Sequence, residues 1–446
     1  MDYGIISLVP TALVLFLAIW SHRTLESVIA GSLLAFLIMD GINFIESLSS
    51  TIMTVVGDEV TVWIVLVCGL YGPFIALLVK GGGSYAFGQM LTRRIHSKKA
   101  SLLTTWVLGL SIFLDDYLNS LTVGATMKSV TDRFRVSREM LAYVVDSTAA
   151  PMCLLVPISS WGVYFAGLLE KNEVAAPGEG IAQFVAAIPY MFYPIVAIIV
   201  VPLAVTRVIP LLGRMRTVEL RAEETGDLGI VEDVALTVEP SERGGVSVFF
   251  VPIFALLFFT VVPEVDLLRG VIIGILVTLV QYTVMRIMPL GELLDTCMDG
   301  LKSMIPVLSM LIALFVFVEA NMAIGMTEYV INGVRPYLTA ELLPVLIFIT
   351  MSVVSYTTGS NWGVIAIAMP IAFPLAHALD VNMALVIGAL LSASGFGSHA
   401  CFYSDSTVLS AQGAGCRTYD HAITQLPYAL LAAGIAAVFY LIAPLV

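Results

Sequence analysis

The chain has 446 residues, of which 59% are hydrophobic and only 12% are charged, and its formal net charge is −12 at pH 7. This composition lies far outside the averages of soluble globular proteins and predicts an all-α polytopic membrane protein. It excludes the strongly basic class of nucleic-acid-binding proteins. The five cysteines lack the spacing of a metal site or a redox motif, so neither is expected.

Apolar runs of the length that spans a bilayer as a helix, ~20 residues, recur along the chain and predict roughly ten membrane segments, counting broken ones. The first run lacks a basic region before it and continues into further apolar sequence, so we expect a retained helix and not a cleaved signal. Examples of these runs are residues 5–20, 60–79, 181–208, 246–262, 267–287, 303–319 and 423–445.

Basic residues predict the orientation of these segments, because lysine and arginine collect in the cytoplasmic loops of membrane proteins. Three basic clusters lie at residues 80–99, 133–138 and 207–243. Alternate crossings counted from these clusters place the N-terminus outside, in a multi-pass protein of the plasma membrane.

Residues 100–132 lie between two of these basic clusters and are predicted to enter the membrane from the cytoplasm and return to it as a re-entrant helical hairpin. Its arms, ~24 Å and ~21 Å long as helix, are short of a full span and place the sequence DDYLN, which begins with Asp115 and Asp116, at the tip. Carboxylates at that depth cost several kcal/mol unless a cation or a donor compensates them. The pattern therefore predicts a buried site.

The next segment, residues 138–165, is predicted to be a broken helix that adds polar groups to this site. Asp146, Ser147 and Thr148 precede Pro151 and Pro157, and a proline inside a helix removes a hydrogen bond and disturbs the turn before it. We expect an unwound stretch lined by polar groups at this break.

The second half repeats this plan, with a hairpin at residues 341–380 entering from the opposite face and a broken helix at residues 383–410. An offset of 245 residues aligns Asp115 and Asp116 with Ser360 and Asn361, and it aligns residues 159–160 with residues 404–405. Two hairpins that enter from opposite sides, each followed by a broken helix, describe an inverted-topology repeat, which is typical of secondary transporters.

The repeat gives a predicted domain plan for the whole chain. It comprises scaffold helices of the first half (1–95), the first half of a transport domain (96–170), a connecting membrane span (171–208), a cytoplasmic acidic linker (209–246), scaffold helices of the second half (247–340), the second half of the transport domain (341–415) and a C-terminal membrane helix (416–446).

Several long stretches resemble the signature sequences of the NhaC-type Na+/H+ antiporters. They are FLDDYLN (113–119), the following stretch to DSTAAP (123–151), PISSWG (157–162), the serine-rich stretch that contains SDST (394–415) and TQLPYAL (424–430). They cover both halves of the chain. Relatives of this family exchange malate, lactate or amino acids with Na+ and H+ coupling.

This resemblance implies a scaffold domain, a mobile transport domain with an elevator-like motion, and a homodimer. Carried over to the matching positions, it implies a site made of Asp115, Asp116 and Asn119 at the hairpin tip, Asp146, Ser147 and Thr148 in the first broken helix, and Ser404, Asp405, Ser406 and Thr407 in the second.

The chemistry of these residues suits Na+, which prefers several hard oxygen ligands. Asp115, Asn119 and Thr122 share one face if the tip is helical, and the predicted Na+ ligands are Asp115, Asn119, Asp146 and Thr148. Mutual repulsion and burial favour protonation of one of the two adjacent acids near neutral pH, so a proton and a cation compete for the same oxygens. Further candidate binding residues are Ser360, Asn361, Gly363, Ser394, Ser398 and His399.

Simpler structural roles remain open for the same residues. Asp115, Asp116 and Asp405 could cap helices, Asp146 could form an ion pair, and His399 could be a hydrogen-bonded structural residue.

The predicted function is Na+/H+ antiport, with Na+ and protons as the partners, the lipid bilayer as the environment and no cofactor besides Na+. The alternative is a Na+- or H+-coupled carrier of small carboxylates or amino acids on the same scaffold. Two remote alternatives are a channel and an intramembrane hydrolase that uses Ser394 or Ser398 with His399 and Asp405. The chain is not expected to be an enzyme.

Overall fold

A computed structural model gives the fold, and every described element is helical. The structure describes residues 3–21, 24–83, 86, 90, 95–229, 245–262, 266–326, 329, 339–358, 361–402 and 404–445. Some residues inside these ranges have a described backbone but no described side chain, among them Asn361, Gly363 and Asp405.

In the first half, four α-helices with described bounds precede the predicted hairpin. They are α1 (Val9–Ser21), α2 (Thr24–Asp40), α3 (Phe44–Gly57) and α4 (Glu59–Lys80). Seven helices follow, namely α5 (Lys98–Ser111), α6 (Asp116–Arg133), α7 (Arg138–Thr148), α8 (Ala150–Leu155), α9 (Ser160–Lys171), α10 (Gly180–Ala187) and α11 (Phe192–Val205).

One described helix, α12 (Gly213–Thr225), lies in the predicted linker. The described α-helices of the second half are α13 (Ser247–Val261), α14 (Leu267–Val284), α15 (Leu290–Ala323), α16 (Leu343–Thr358), α17 (Asn361–Ala378), α18 (Met383–Ala400), α19 (Asp405–Ala414) and α20 (Thr418–Ile442).

Six of the described helices are long and apolar enough to cross a membrane, or seven if α10 and α11, which meet at an angle of 53°, form one span. Further predicted segments form shorter apolar helices of 10–17 residues among the described residues, such as Ser247–Thr260 and Leu343–Tyr356. The roughly ten segments predicted from apolar runs included broken ones, and their number stays a prediction. On α13 and α14, large apolar side chains including Phe254, Leu276 and Val280 are exposed, as expected of surfaces that contact lipid.

Helices α5 and α6 run antiparallel, so the outer ends of the pair lie together. Lys98 Nζ, at the start of α5, donates to the main-chain oxygen of Arg135 just after α6, at 3.1 Å. Near the other end, Asn119 Nδ2 on α6 donates to the main-chain oxygen of Gly109 on α5, at 2.7 Å. Residues 112–115 make the turn between the two helices.

The segment predicted to be the first broken helix is interrupted twice, between α7 and α8 and between α8 and α9. Ser137 caps α7 by accepting from the Met140 N–H, and α7 ends at Thr148 because the next residue, Ala149, has a ψ of −90°, which is not helical. Pro151 then lies in the first turn of α8, where its missing N–H costs nothing. Residues 156–159 form the second break, and Ser159 caps α9 by accepting from the Gly162 N–H.

The first hairpin packs against a helix of the second half. Ser120 and Ser410 share a hydrogen bond of 3.0 Å between their hydroxyl oxygens. One turn further along α6, a Cβ added to Gly124 would lie 2.5 Å from the carbonyl carbon of Gly413, so only glycine allows this approach of α6 and α19. The α6–α19 contact therefore joins the two halves of the chain.

Helix α12 packs against the start of the first hairpin and of the first broken helix. Glu219, which is 1% exposed, accepts from the Ser137 N–H at 2.8 Å and pairs with Lys98 Nζ at 2.6 Å. Arg221 pairs with Glu139 of α7 at 3.0 Å. The rest of the predicted linker, residues 230–244, lies outside the described residues.

Candidate ion-binding site

The two adjacent aspartates lie at the turn between α5 and α6, where they contact the start of α9. Ser160 Oγ donates to Asp115 Oδ2 at 2.8 Å, and Trp161 Nε1 donates to Asp116 Oδ1 at 3.0 Å. Both carboxylates are buried. We call Asp115, Asp116, Ser160 and Trp161 the tip cluster, and all four belong to the first half of the chain.

Asn119 holds together the chain segments around this turn. Its Nδ2 donates to the main-chain oxygens of Gly109, Ile112 and Thr148, at 2.7, 2.9 and 3.0 Å. These carbonyls lie near the ends of α5 and α7, where helix geometry leaves them without an intrahelical partner. The Asn119 Oδ1 atom is buried and accepts no hydrogen bond from the described residues.

Asp146 is the centre of a second cluster, at the junction of the two halves. Its Oδ2 atom accepts from Gln425 Nε2 at 2.7 Å, from His421 Nε2 at 3.1 Å and from Thr407 Oγ1 at 3.3 Å. The four side chains are 0–1% exposed. We call Asp146, Thr407, His421 and Gln425 the inter-half cluster, because its donors come from α19 and α20.

The other oxygen of Asp146, Oδ1, is buried and has no hydrogen-bond partner among the described residues. Within the same part of the chain, no lysine or arginine pairs with this carboxylate, and its one ionisable contact is His421. With Asp146 ionised, the 3.1 Å contact requires a proton on His421 Nε2. The His421 Nδ1 atom is also buried without a described partner.

His399 and Ser147 form a third group of polar contacts next to the inter-half cluster. The imidazole of His399 lies between Ser147 Oγ, 2.8 Å from Nε2, and Tyr193 OH, 2.7 Å from Nδ1. The main-chain oxygen of His399 also accepts from Gln425 Nε2. Both ring nitrogens therefore contact hydroxyls other than those of Ser394 and Ser398, and the serine–histidine pairing of the hydrolase alternative is not the arrangement found.

The SDST sequence mainly holds the broken end of α18. Ser404, Ser406 and Thr407 all donate to the main-chain oxygen of Ser398. A carbonyl in the last turn of a helix lacks an intrahelical partner, and these hydroxyls supply one. Within this sequence Thr407 also contacts Asp146, whereas the side chain of Asp405 lies outside the described residues although its backbone begins α19.

The remaining predicted residues have simpler positions. Thr122 is buried on α6. The Thr148 hydroxyl donates to the main-chain oxygen of Val144, and the main-chain oxygen of Ser394 accepts from Ser355 Oγ at 3.4 Å. Ser360 lies outside the described residues, and Asn361 and Gly363 belong to α17 with side chains that are not described.

The predicted Na+ ligands are thus divided between two clusters. Asp115 contacts Ser160, Asp146 contacts groups of the second half, and the Thr148 hydroxyl is engaged by its own helix. Asn119 connects the two regions, because it belongs to α6 and donates to the main-chain oxygen of Thr148.

Sequence reasoning missed His421, Gln425 and Tyr193. The first two are polar residues four positions apart in the apolar C-terminal segment, a spacing that places them on one face of a helix. Polar residues on one face of a membrane helix usually face the protein interior, so this signal was available. Tyr193 gave no comparable signal, because tyrosine is common in membrane helices.

Comparisons with known proteins identify the family of this chain. The Na+/H+ antiporter family model matches residues 152–444. A protein of Haemophilus influenzae, described as uncharacterized, is 30% identical over 470 aligned residues that cover 98% of this chain and 90% of that protein. A second protein of that organism, described as an uncharacterized Na+/H+ antiporter, is 26% identical over 152 residues, which is 33% of this chain and 32% of that protein.

Two solved transporter structures have a similar fold. The YdaH transporter of Alcanivorax borkumensis matches with a TM-score of 0.61 and 13% identity, over 91% of this chain and 89% of that chain. MtrF of Neisseria gonorrhoeae, described as illuminating a class of antimetabolite efflux pumps, matches with a TM-score of 0.59 and 12% identity, over 92% and 86%. At these identities the likeness concerns the fold. Because the family model covers more than half of the sequence, the chain belongs to the Na+/H+ antiporter family and is a multi-pass secondary transporter of the membrane.

Proposed function

We propose that this protein exchanges Na+ for protons, and that Asp146 is the carboxylate for which the two ions compete. The observation that carries the proposal is the burial of the Asp146 side chain together with its lack of a compensating lysine or arginine among the described residues. Asp146 is 0% exposed, its Oδ1 atom has no described partner, and no lysine or arginine in the described part of the chain neutralises it.

The energetics of a buried carboxylate support this role. An ionised carboxylate loses several kcal/mol of solvation on burial, and the three donors at Oδ2 compensate for only part of that loss. A proton or a cation supplies the missing compensation, and a hard oxygen such as Oδ1 suits Na+. Because either ion neutralises the same group, binding of one weakens binding of the other, which is the requirement for antiport.

Correspondence between the two halves supports an inverted repeat around this site. The same offset of 245 residues separates four pairs of helix starts, namely Lys98 and Leu343, Asp116 and Asn361, Arg138 and Met383, and Ser160 and Asp405. The capping contacts share it, because Ser159 donates to the Cys153 carbonyl and Ser404 to the Ser398 carbonyl. Inverted repeats of this type place ion sites where their broken helices meet.

The family resemblance also predicts an elevator motion, a homodimer and a plasma-membrane location with the N-terminus outside. Contacts between the halves support one part of that picture. The Ser120–Ser410 and Asp146–His421 contacts join the two predicted halves of the transport domain and the C-terminal helix, so these segments are suited to move as one body.

The test is transport by purified protein in vesicles that contain a pH-sensitive dye. An inward Na+ gradient should make the interior more alkaline with the wild-type protein, and Asp146→Asn should abolish the response. Asp299→Asn is the matched control, because the Asp299 side chain is 71% exposed.

Full exchange by Asp146→Asn would contradict the assignment of this carboxylate. A wild-type response that requires an added small carboxylate or amino acid would favour the alternative carrier function. Na+ flux that does not saturate and moves no protons would indicate a channel.

A further inference from the structure

We infer that the amide oxygen of Gln425 is a ligand of the transported cation and sets the preference among alkali cations. This inference rests on the proposed function for the identity of the site, and it concerns a residue that lies in the TQLPYAL stretch but to which the resemblance gave no role.

The amide of Gln425 is held in one orientation by its two acceptors. Its Nε2 atom donates to Asp146 Oδ2 at 2.7 Å and to the main-chain oxygen of His399. Rotation of the amide by half a turn would place Oε1 against these two acceptor oxygens, which is repulsive. The hydrogen-bond partners therefore fix which atom of the amide is the oxygen.

In this orientation the amide oxygen of Gln425, Oε1, has no described hydrogen-bond partner. Gln425 is 1% exposed, and its Oε1 atom is buried without a hydrogen bond from the described residues. A buried acceptor left without a donor costs about 1–3 kcal/mol. A group bound during the transport cycle would remove that cost.

A cation fits this position better than a water molecule, because the negative charge of Asp146 also has no lysine or arginine partner among the described residues. Asp146 Oδ1 is the other buried oxygen without a described partner, and it belongs to the side chain to which Gln425 is hydrogen-bonded. A water molecule would satisfy a buried acceptor but would leave the negative charge in place. Na+ takes carboxylate and amide oxygens as ligands and also neutralises the carboxylate.

The first half supplies a second amide with the same pattern. The Nδ2 atom of Asn119 is fixed on main-chain oxygens, including that of Thr148, and its Oδ1 atom is buried without a described partner. In both amides the nitrogen is used to hold the protein together, and the oxygen is kept available. Neutral amide oxygens are hard ligands that bind a cation without adding charge.

The experiment measures binding of Na+, Li+ and K+ to purified protein in detergent, by calorimetry and by thermal shift. Gln425→Met keeps the volume and replaces a hard oxygen with a thioether. Na+ affinity should fall about tenfold or more, as when a group that supports a metal site is removed, and the Na+ to K+ affinity ratio should also change.

Gln281→Met is the matched control. Gln281 also donates Nε2 to a main-chain carbonyl, that of Ser247 at 3.0 Å, and its Oε1 atom is also buried without a described partner. It lies on α14, away from Asp146, and the variant should bind Na+ with wild-type affinity and selectivity.

Gln425→Glu separates a ligand from a hydrogen-bond donor. It keeps an oxygen at this position and removes the donor, so it should retain Na+ binding that Gln425→Met loses. If both variants weaken all three cations by the same factor, Gln425 acts only as a donor to Asp146 and the inference is wrong. If the wild-type protein binds none of the cations, the proposed function itself fails, and that result is distinct.

Discussion

The tip cluster and the inter-half cluster both contain buried aspartates, but their partners come from different parts of the chain. In the tip cluster, Ser160 and Trp161 bind Asp115 and Asp116 from about 45 residues away, within the same half. In the inter-half cluster, the groups that bind Asp146 are 261 to 279 residues distant, on α19 and α20. The described contacts of the tip cluster stabilise a turn within its half, whereas the inter-half cluster exists only while the two halves are packed together.

This difference teaches where ion binding can be coupled to conformational change. A ligand shifts an equilibrium only through its different affinity for the two states. Although these segments are suited to move as one body, a cation or proton bound at the inter-half cluster can change how tightly the two halves pack, whereas the described contacts of the tip cluster do not depend on that packing. We therefore place the competition between Na+ and protons at Asp146.

The largest expected effect is the loss of Na+-induced stabilisation in Asp146→Asn. At a Na+ concentration of 100 times the Kd, a ligand raises the free energy of unfolding by about 2.7 kcal/mol. We expect this rise in the wild-type protein and in Asp299→Asn, measured as an increase in Tm with Na+, and no rise in Asp146→Asn. A wild-type increase in Tm with Na+ in Asp146→Asn would mean that Asp146 is not needed to bind Na+ and that the inter-half cluster has no special role.

Trp161→Phe tests the tip cluster by removing the donor to Asp116 while keeping an aromatic ring. Hydrogen bonds to charged groups contribute about 1.5–3 kcal/mol, so the free energy of unfolding should fall by about 2 kcal/mol. Na+ affinity should remain within about twofold, because Asp146 keeps its contacts. Denaturation and Na+ titration of the same variant provide both readouts.

The control for this variant is Trp106→Phe, since Trp106 Nε1 donates to a neutral carbonyl, that of Ile198, at 3.1 Å. Its loss should cost only about 1 kcal/mol. A large decrease in Na+ affinity in Trp161→Phe would mean that the tip cluster belongs to the exchange site.

Thr407→Val should weaken Na+ binding by a smaller amount. It removes the 3.3 Å contact with Asp146 Oδ2, which is the longest of the three, and the other two donors remain. We expect Na+ affinity to fall about threefold to tenfold, since a long hydrogen bond contributes less than the full range of a charged one. An unchanged affinity in a Na+ titration would show that this donor from α19 does not sense the ion.

Glu223→Gln on α12 should have the smallest effect, and the effect should depend on pH. The hydrogen bond from Lys98 Nζ holds the pKa of the Glu223 carboxyl below its ordinary value of 4.5. A lowered folded-state pKa contributes stability that is present above the unfolded value and is lost as pH falls through the folded value. The variant should therefore lose a few tenths of a kcal/mol at pH 7.

Thermal denaturation at several pH values measures this effect. The difference in Tm between the wild-type protein and Glu223→Gln should shrink as the pH falls below 4.5. A difference that is independent of pH would mean that the Glu223 charge does not stabilise the packing of α12.

Much of the architecture was predictable because its signals are local. Paired acids in an apolar stretch indicated the turn that ends at Asp115, and Pro151 and Pro157 indicated the interrupted helix. Basic clusters predicted that the ends of the first hairpin lie together, and the hydrogen bond from Lys98 Nζ to the main-chain oxygen of Arg135 joins these two ends. Where each helix ends was predicted less well, because apolar composition does not reveal where a helix stops.

The composition of the site was less predictable because it depends on packing between distant segments. Asp146 was predicted as a Na+ ligand, but its partners His421 and Gln425 were not predicted. A motif lists residues that are near one another in sequence, whereas these contacts bring α7 and α20 together across most of the chain. The close approach of Gly124 and Gly413, which aligns the halves, is likewise apparent only in three dimensions.

The position of a bound ion is the most direct measurement of the central claim. Crystals of the protein soaked in a thallium(I) salt, a heavy substitute for a monovalent metal cation, would locate the ion by anomalous diffraction. We predict a peak beside Asp146 Oδ1 and Gln425 Oε1 that sodium displaces. A sodium-sensitive peak at Asp115 and Asp116, with none at Asp146, would contradict the account.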